Sequence, residues 1–187
     1  TGAYVTHNAG AKWTRFNLHS PVRFYVFDPL DSNIVYANSI ALYKSMDKGA
    51  TWHVLYPAAT EIAGIVSKGD HAEEVVVTKD STRRHVLALA VDPAASNKLY
   101  AAISINKNSA LYFSDDGGLQ WTKEKELEDG ATNIFIVPNS PKEDRTLYIT
   151  GTDMLGSGNA ATPHTWPAAA VIPYLLAPKR GEMAADF

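Results

Sequence analysis

One eight-residue pattern, written three times, limits this chain more than any other feature. Ser45-Met46-Asp47-Lys48-Gly49-Ala50-Thr51-Trp52 and Ser114-Asp115-Asp116-Gly117-Gly118-Leu119-Gln120-Trp121 both read S-x-D-x-G-x-x-W. Thr6-His7-Asn8-Ala9-Gly10-Ala11-Lys12-Trp13 repeats it with Thr for Ser and Asn for Asp. Short hydroxyl, carboxylate and amide side chains bond nearby backbone N–H groups and so fold tight turns locally. Gly10, Gly49 and Gly118 supply the positive φ such a turn demands. Trp13, Trp52 and Trp121 then open the following strand, and each is expected to pack its ring beneath its own turn. The segment reads as a hairpin connection that braces itself, structural rather than catalytic.

A second signature precedes it. Asp28-Pro29 is followed by Val35-Tyr36-Ala37, and Asp92-Pro93 by Leu99-Tyr100-Ala101, with aspartate and tyrosine at the same separation in both. Leu42-Tyr43-Lys44-Ser45, Leu111-Tyr112-Phe113-Ser114 and Ala3-Tyr4-Val5-Thr6 then lead into the turns, and Leu147-Tyr148-Ile149 echoes the first half once more. Each full unit reads as four short strands: 23–27, 34–38, 41–44 and 51–56 in one, 85–91, 98–104, 110–113 and 120–125 in the other. Residues 85–91 are almost continuously apolar, as a strand buried on both faces must be. Helical periodicity is absent, so the chain is expected to be all-β.

These units resemble the Asp-box (BNR) repeats of propeller proteins, a group with sialidases, xyloglucan-degrading glycoside hydrolases, sortilin-type receptor domains and photosystem assembly factors among its members. The resemblance implies a β-propeller of four-stranded antiparallel blades arranged radially. About three blades' worth is present, an incomplete ring: a partial blade over 1–20, a blade over 21–57, an insertion over 58–84, a blade over 85–128 and a partial blade over 131–151. Residues 152–187 are interrupted by Pro163, Pro167, Pro173 and Pro178 and read as a degenerate blade or an irregular tail. An open arc exposes strand edges. The ring is therefore expected to be completed by missing blades of a longer chain or by other copies.

Strand parity says where function can sit. In a four-stranded meander the 1–2 and 3–4 turns share one face, and the 2–3 and 4–1 connections share the other. The Trp-closed turns are 3–4 turns, so Asp47 and Asp116 lie opposite the face on which ligand sites of the resembled family usually lie. On that other face the 4–1 connection after Trp52 is far longer than the one after Trp13. Residues 61–68 and 73–79 look like two β arms around Gly69-Asp70, with a short helix over 60–67 as the competing reading. This insertion gathers Asp70, His71, Glu73, Glu74, Asp80, Arg83 and Arg84, a rim in which arginines can pair carboxylates and acids can bind hydroxyls. The loop 105–109 also appears longer than its counterpart.

Chemistry is harder to find. The arginine-isoleucine-proline motif of sialidases is missing around Arg23, and no motif singles out a carboxylate pair for glycoside hydrolysis. The six histidines show no zinc spacing, and no nucleotide-binding glycine pattern occurs, so no metal or cofactor is expected. A net charge of -3 offers no basic surface to nucleic acid or anionic lipid, and no apolar run reaches the ~20 residues of a membrane span. Absence of cysteine does not fix the compartment; the resemblance implies an extracellular or periplasmic address. Two functions remain open: a non-catalytic recognition or scaffold module for glycan or protein ligands, and a fragment of a glycoside hydrolase.

Overall fold

The computed structural model describes residues 3–68, 73–127 and 130–152, with the backbone alone at Lys68, Glu73 and Thr152. All belong to the unit Thr1–Met154. The described residues form fourteen strands: β1 (Ala3–Val5), β2 (Thr14–Phe16), β3 (Phe24–Phe27), β4 (Val35–Asn38), β5 (Leu42–Ser45), β6 (His53–Tyr56), β7 (Ile62–Lys68), β8 (Glu73–Thr78), β9 (Arg84–Asp92), β10 (Ala95–Ile105), β11 (Asn108–Ser114), β12 (Thr122–Leu127), β13 (Gly130–Ile136) and β14 (Leu147–Thr152). The helical structure among the described residues is one 3₁₀ turn, Ala59–Glu61. Two sheets are four-stranded meanders in chain order, β3-β4-β5-β6 and β9-β10-β11-β12, antiparallel throughout. β1–β2, β7–β8 and β13–β14 are two-stranded.

Packing turns these sheets into a stack. Tyr36, Leu42, Leu55 and Tyr56 of the first meander meet Val86, Leu89, Val91 and Ile103 of the second in one buried cluster. On the opposite face of the second meander, Ala88, Ala90 and Leu111 meet Ala131 and Ile134 of β13. Leu18, Ala37 and Tyr43 form a third cluster, with Phe16 of β2 packed against them. Each four-stranded sheet thus buries one face on the sheet before it and the other on the sheet after it. The fold is an incomplete β-propeller: two whole blades, flanked by the outer half of one (β1–β2) and the inner half of another (β13–β14). Fully burying side chains such as Tyr36, Leu99 and Ile103 contributes roughly 1.5–3 kcal/mol apiece, and most of that burial lies between blades.

The three turns share one hydrogen-bond plan. Ser45 Oγ donates to Asp47 Oδ1 (2.8 Å) and accepts from the Gly49 N–H (2.7 Å), while Asp47 Oδ1 accepts from the Thr51 N–H (2.8 Å). Ser114 and Asp116 repeat this with Gly118 and Gln120, and Thr6 and Asn8 with Gly10 and Lys12. Two successive residues hold positive φ in each: Ala9 and Gly10, Lys48 and Gly49, Gly117 and Gly118. The hydrogen bonds from the Thr51 side chain and backbone hold the Asp47 pKa down to about 2.

The tryptophans differ more than their shared pattern suggests. Trp52 follows the expectation, its Nε1 donating to Gly49 O (3.0 Å) and its ring stacking on Phe16. Trp13 lies over Gly10 but remains 58% exposed, because the outer half-blade has no described blade in front of it. At the third turn the place over Gly118 is taken by Leu55 and Leu99 of the blade junction. Trp121 instead meets the edge of Tyr56, and its Nε1 is buried without an acceptor among the described residues.

Each Asp-Pro aspartate reaches the next blade. Asp92 accepts two hydrogen bonds from Arg145, Nε to Oδ2 (2.7 Å) and Nη2 to Oδ1 (2.8 Å), with both side chains almost fully buried. Asp28 accepts only from Ser96 Oγ across its junction (2.8 Å), and its Oδ2 is buried without a partner among the described residues. Burial alone would raise the Asp92 pKa, but the Arg145 hydrogen bonds, the Ala94 N–H and the Arg145 charge outweigh it and hold it low.

Two tests follow from this packing. An alanine Cβ at Gly118 would stand 2.6 Å from Leu55 Cδ2, whereas at Gly10 its nearest neighbour is Trp13 at 3.9 Å, with similar positive φ at both. In urea denaturation Gly10→Ala should lose about 1 kcal/mol to backbone strain, and Gly118→Ala about 2–4 kcal/mol because a packed junction must also yield; equal losses would contradict the packing. The second concerns pH. A depressed folded-state pKa contributes stability that is present above the unfolded value near ~4 and lost as pH falls through the folded one. Arg145→Ala leaves burial opposed only by the Ala94 N–H and the Lys98 charge, so the stability that the parent loses through Asp92 as pH falls below about 4 should shrink in the variant. Denaturation below that pH reads the loss in each.

Candidate functional site

Hydrogen bonds between connections fix the two faces. The 1–2 and 3–4 turns are bonded together: the Lys48 N–H donates to Asn33 O, the Gly117 N–H to Asn97 O, and Asn97 Nδ2 to Asp115 O. On the other face the 2–3 and 4–1 connections are bonded together. Ser39 Oγ donates to Leu18 O (2.6 Å), and Arg83 and Asn106 exchange a pair, Arg83 N–H to Asn106 Oδ1 and Asn106 N–H to Arg83 O, both 2.9 Å. The second blade reaches further on this face because its extra residues lengthen β10 and β11 and leave a two-residue turn, Asn106-Lys107, with positive φ at both. The expected longer loop over 105–109 is therefore longer strands.

The insertion is a β hairpin, β7–β8, entered through the 3₁₀ turn at Ala59–Glu61, and the competing helix over 60–67 does not form. β8 turns Val76 onto Leu18, Ala37 and Tyr43, which docks the hairpin on the first blade. Arg84 holds the hairpin's base. Its Nη1 donates to Glu61 Oε1 (2.8 Å), Nη2 to Asp80 Oδ2 (2.6 Å) and Nε to Thr82 Oγ1 (2.9 Å), and the side chain is only 14% exposed. Burial opposes the guanidinium charge, but the hydrogen bonds to Glu61 and Asp80 outweigh it and raise the Arg84 pKa. Asp80 Oδ1 also accepts from Thr78 Oγ1 (2.6 Å) and Thr82 Oγ1 (2.7 Å), and these bonds depress its pKa. Glu61 Oε2 accepts from the Ala58 N–H (3.0 Å).

The residues proposed as a rim thus divide. Asp80 and Arg84 are occupied in the clamp. Glu74 Oε2 stands 3.3 Å from His19 Nδ1. Asp70 and His71 lie outside the described residues, as does the Glu73 side chain. Arg83 is exposed, held at the backbone by Asn106. Beside it come two groups the sequence reading did not gather: Arg23, whose N–H donates to Asn38 O (2.8 Å), and His85 on β9. Asn38 Nδ2 in turn donates to Val86 O (2.8 Å), tying the starts of both blades' first strands together. Burial, then the charges of Arg23 and Arg83, lower the His85 pKa. Alternation was the available signal, since in 83–85 one charge turns inward at Arg84 and its neighbours stay out.

Two grooves open here. One of about 720 Å³ runs between β8 and the first blade, lined by Ser20, Arg23, Ser39, Glu74, Arg83 and His85 among others. The other, about 1220 Å³, extends from Arg23 past Asn106 and Lys107 to Lys123 and Glu126. Arg23 belongs to both. Among the described residues no cluster of three or more His, Cys, Asp or Glu could hold a metal ion, and no helix is long and apolar enough to cross a membrane.

No protein-family model and no curated protein matches the chain. Among solved structures it is similar to an ancestral GH74 enzyme at 14% identity and TM-score 0.46, over 71% of this chain and 17% of that one. The GH74 xyloglucanase from Xanthomonas campestris is similar at 18% identity and TM-score 0.46, over 71% of this chain and 21% of that one. YCF48 bound to D1 peptide overlaps at 14% identity and TM-score 0.23, over 83% of this chain and 73% of that one. The chain spans about a fifth of the length of those GH74 structures. Overlaps this partial transfer no activity to it.

If Arg84 anchors the insertion, Arg84→Ala should loosen β7–β8 selectively. Amide exchange in 62–68 and 73–78 is expected to quicken by about tenfold or more while β4 and β5 keep their protection. Uniform loss across the blades would show that the clamp serves the fold and not the hairpin.

Proposed function

We propose that this chain is a segment of an Asp-box β-propeller that acts as a non-catalytic recognition or scaffold module outside the cytoplasm, binding a glycan or protein ligand through the face opposite the Trp-closed turns. The single observation that carries the reading is the division of charge on that face. Glu61 and Asp80 have oxygens committed to Arg84, the Ala58 N–H and two threonines, while Arg23 and Arg83 stand exposed beside the grooves. Asp80, whose pKa is depressed by the hydrogen bonds it accepts, is a poor proton donor, because each of those bonds favours the ionised form. Exposed guanidiniums in a concave setting suit bidentate recognition of a carboxylate or sulfate on a partner. The partner that fits is an acidic peptide segment or an acidic glycan.

Calorimetry with a deca-glutamate peptide and with an oligogalacturonate tests this. Binding of either should weaken about tenfold in Arg23→Ala and in Arg83→Ala, and should weaken with salt as an exposed charge contact does. The lowered His85 pKa keeps that ring neutral near pH 7, so affinity should rise as pH falls below its ordinary value near ~6.5. Binding indifferent to both arginines would sink the proposal. Release of sugar from xyloglucan, lost on a single carboxylate substitution, would establish the hydrolase alternative in its place.

A further inference from the structure

Four consecutive residues of β8, Glu74, Val75, Val76 and Val77, border the groove of about 720 Å³. Side chains of a strand alternate between its two faces. A space that meets four residues in a row therefore meets the backbone edge of the strand. One edge of β8 is taken by β7, in a register running from Ile62 with Thr78 to Lys68 with Glu73. The groove lies along the other edge. Among the described residues the β7–β8 sheet has two strands, and no backbone hydrogen bond ties 74–77 to any other element. Alternate N–H and C=O groups of this stretch thus point into the groove, the arrangement that templates a further strand.

Both walls of the groove are held in place. Ser20, Pro21, Ser39 and Ile40, from connections of the first blade, form the wall facing β8, and Ser39 Oγ braces it by donating to Leu18 O (2.6 Å). Val76 packs beside Leu18, Ala37 and Tyr43, and Arg84 holds the hairpin's base, so the edge is presented by a docked strand. Little ordering remains to be done when a ligand arrives. Four strand residues span about 13 Å, and a neighbouring strand lies ~4.8 Å away. The groove's volume falls within the ~300–1,000 Å³ of sites that enclose ligands. An extended peptide carries the row of donors and acceptors that such an edge pairs with; a glycan carries no such row.

Charge gives the direction. Glu74 stands at the start of the stretch. At its end Thr78 Oγ1 donates to Thr82 O (2.8 Å), which brings Arg83 beside the close of β8. Antiparallel pairs outnumber parallel ones roughly two- to three-fold, and a peptide antiparallel to β8 enters at Arg83 and leaves at Glu74. We propose that an extended peptide of a partner protein adds to β8 as a third, antiparallel strand, its acidic residues leading past Arg83 and its basic residues trailing at Glu74. The inference rests on the reading of this face as a recognition surface and narrows the partner to a peptide. Backbone pairing supplies the binding, and the charges at the two ends fix polarity and register.

The probe is the acetylated and amidated peptide Asp-Asp-Val-Thr-Val-Thr-Lys-Lys, titrated into the full chain by calorimetry. In an extended peptide the valine amides point to one edge and the threonine amides to the other. N-methylation of both valines, or of both threonines, therefore blocks one edge at a time. One of the two should weaken binding by about tenfold or more and the other by less than about twofold. Lys-Lys-Val-Thr-Val-Thr-Asp-Asp should bind about tenfold more weakly than the acid-first peptide. On binding, amide exchange should slow at alternate residues of 74–77. No binding of the acid-first peptide, equal effects of the two methylations, or equal binding of the charge-reversed peptide would each overturn the proposal. So would slow exchange at all four amides before peptide is added, since the edge would then be taken already. Deca-glutamate binding that depends on Arg23 and Arg83, with the two methylated peptides behaving alike, would remove the added strand and leave the charge reading standing.

Discussion

The hydroxyl of Ser45 both gives and receives a hydrogen bond, and the first blade depends on that. By donating to Asp47 and accepting from the Gly49 N–H, it closes a turn whose backbone is left-handed at two successive residues. Left-handed pairs match the right-handed twist of the strands they join, so the turn sets how β5 and β6 leave it. Thr6 and Ser114 do the same at the other two turns. Because all the partners lie within a few residues, each hairpin can form before any blade meets another. The repeat is thus encoded locally, and an outer strand as polar as β12 needs little apolar burial to stay in place.

Assembly of the blades rests on longer-range contacts. Apolar faces supply most of the area, but they would tolerate some sliding. The Asp-Pro aspartates remove that freedom by reaching a defined donor on the next blade. Asp92 finds a guanidinium that satisfies both oxygens, whereas Asp28 finds one hydroxyl and keeps an oxygen without a partner among the described residues. A buried carboxylate with a partner on only one side costs more than one held by a fork, so the two junctions are not energetically alike. The first compensates with apolar bulk: Leu55 and Leu99 fill the space over Gly118.

Much of this was legible in the residues. Strand positions, the hairpin turns and the sharing of faces by connections follow from patterns whose causes are local or topological, and the structure places them accordingly. Trp121 was not legible, since whether an indole lies under its own glycine or in the blade junction depends on what the preceding blade delivers there. The roles of Asp28 and Asp92 were missed for a related reason. In sequence an Asp-Pro pair is a turn signal, and nothing near it says that Ser96 or Arg145 will arrive from another blade. The rim shows the same limit, as Asp80 and Arg84 look like a free acid and a free base until folding pairs them.

That pairing shapes what the face can do. A clamp of one arginine between two carboxylates keeps a residual negative charge but ties both acids to the hairpin's base, so the side chains free to meet a partner are the exposed ones. Those are Arg23 and Arg83, on different blades and fixed at the backbone by Asn38 and Asn106. Their mutual repulsion is tolerated because both remain in solvent, where charges a few ångströms apart interact by only ~1 kcal/mol. An acidic partner that displaces that water would lower the local dielectric and meet two cations whose backbones are already fixed. The structural arginine and the exposed ones are therefore parts of one arrangement: Arg84 orders the hairpin and holds Glu61 and Asp80 at its base, while Arg23 and Arg83 stay exposed beside the groove that Glu74 also lines.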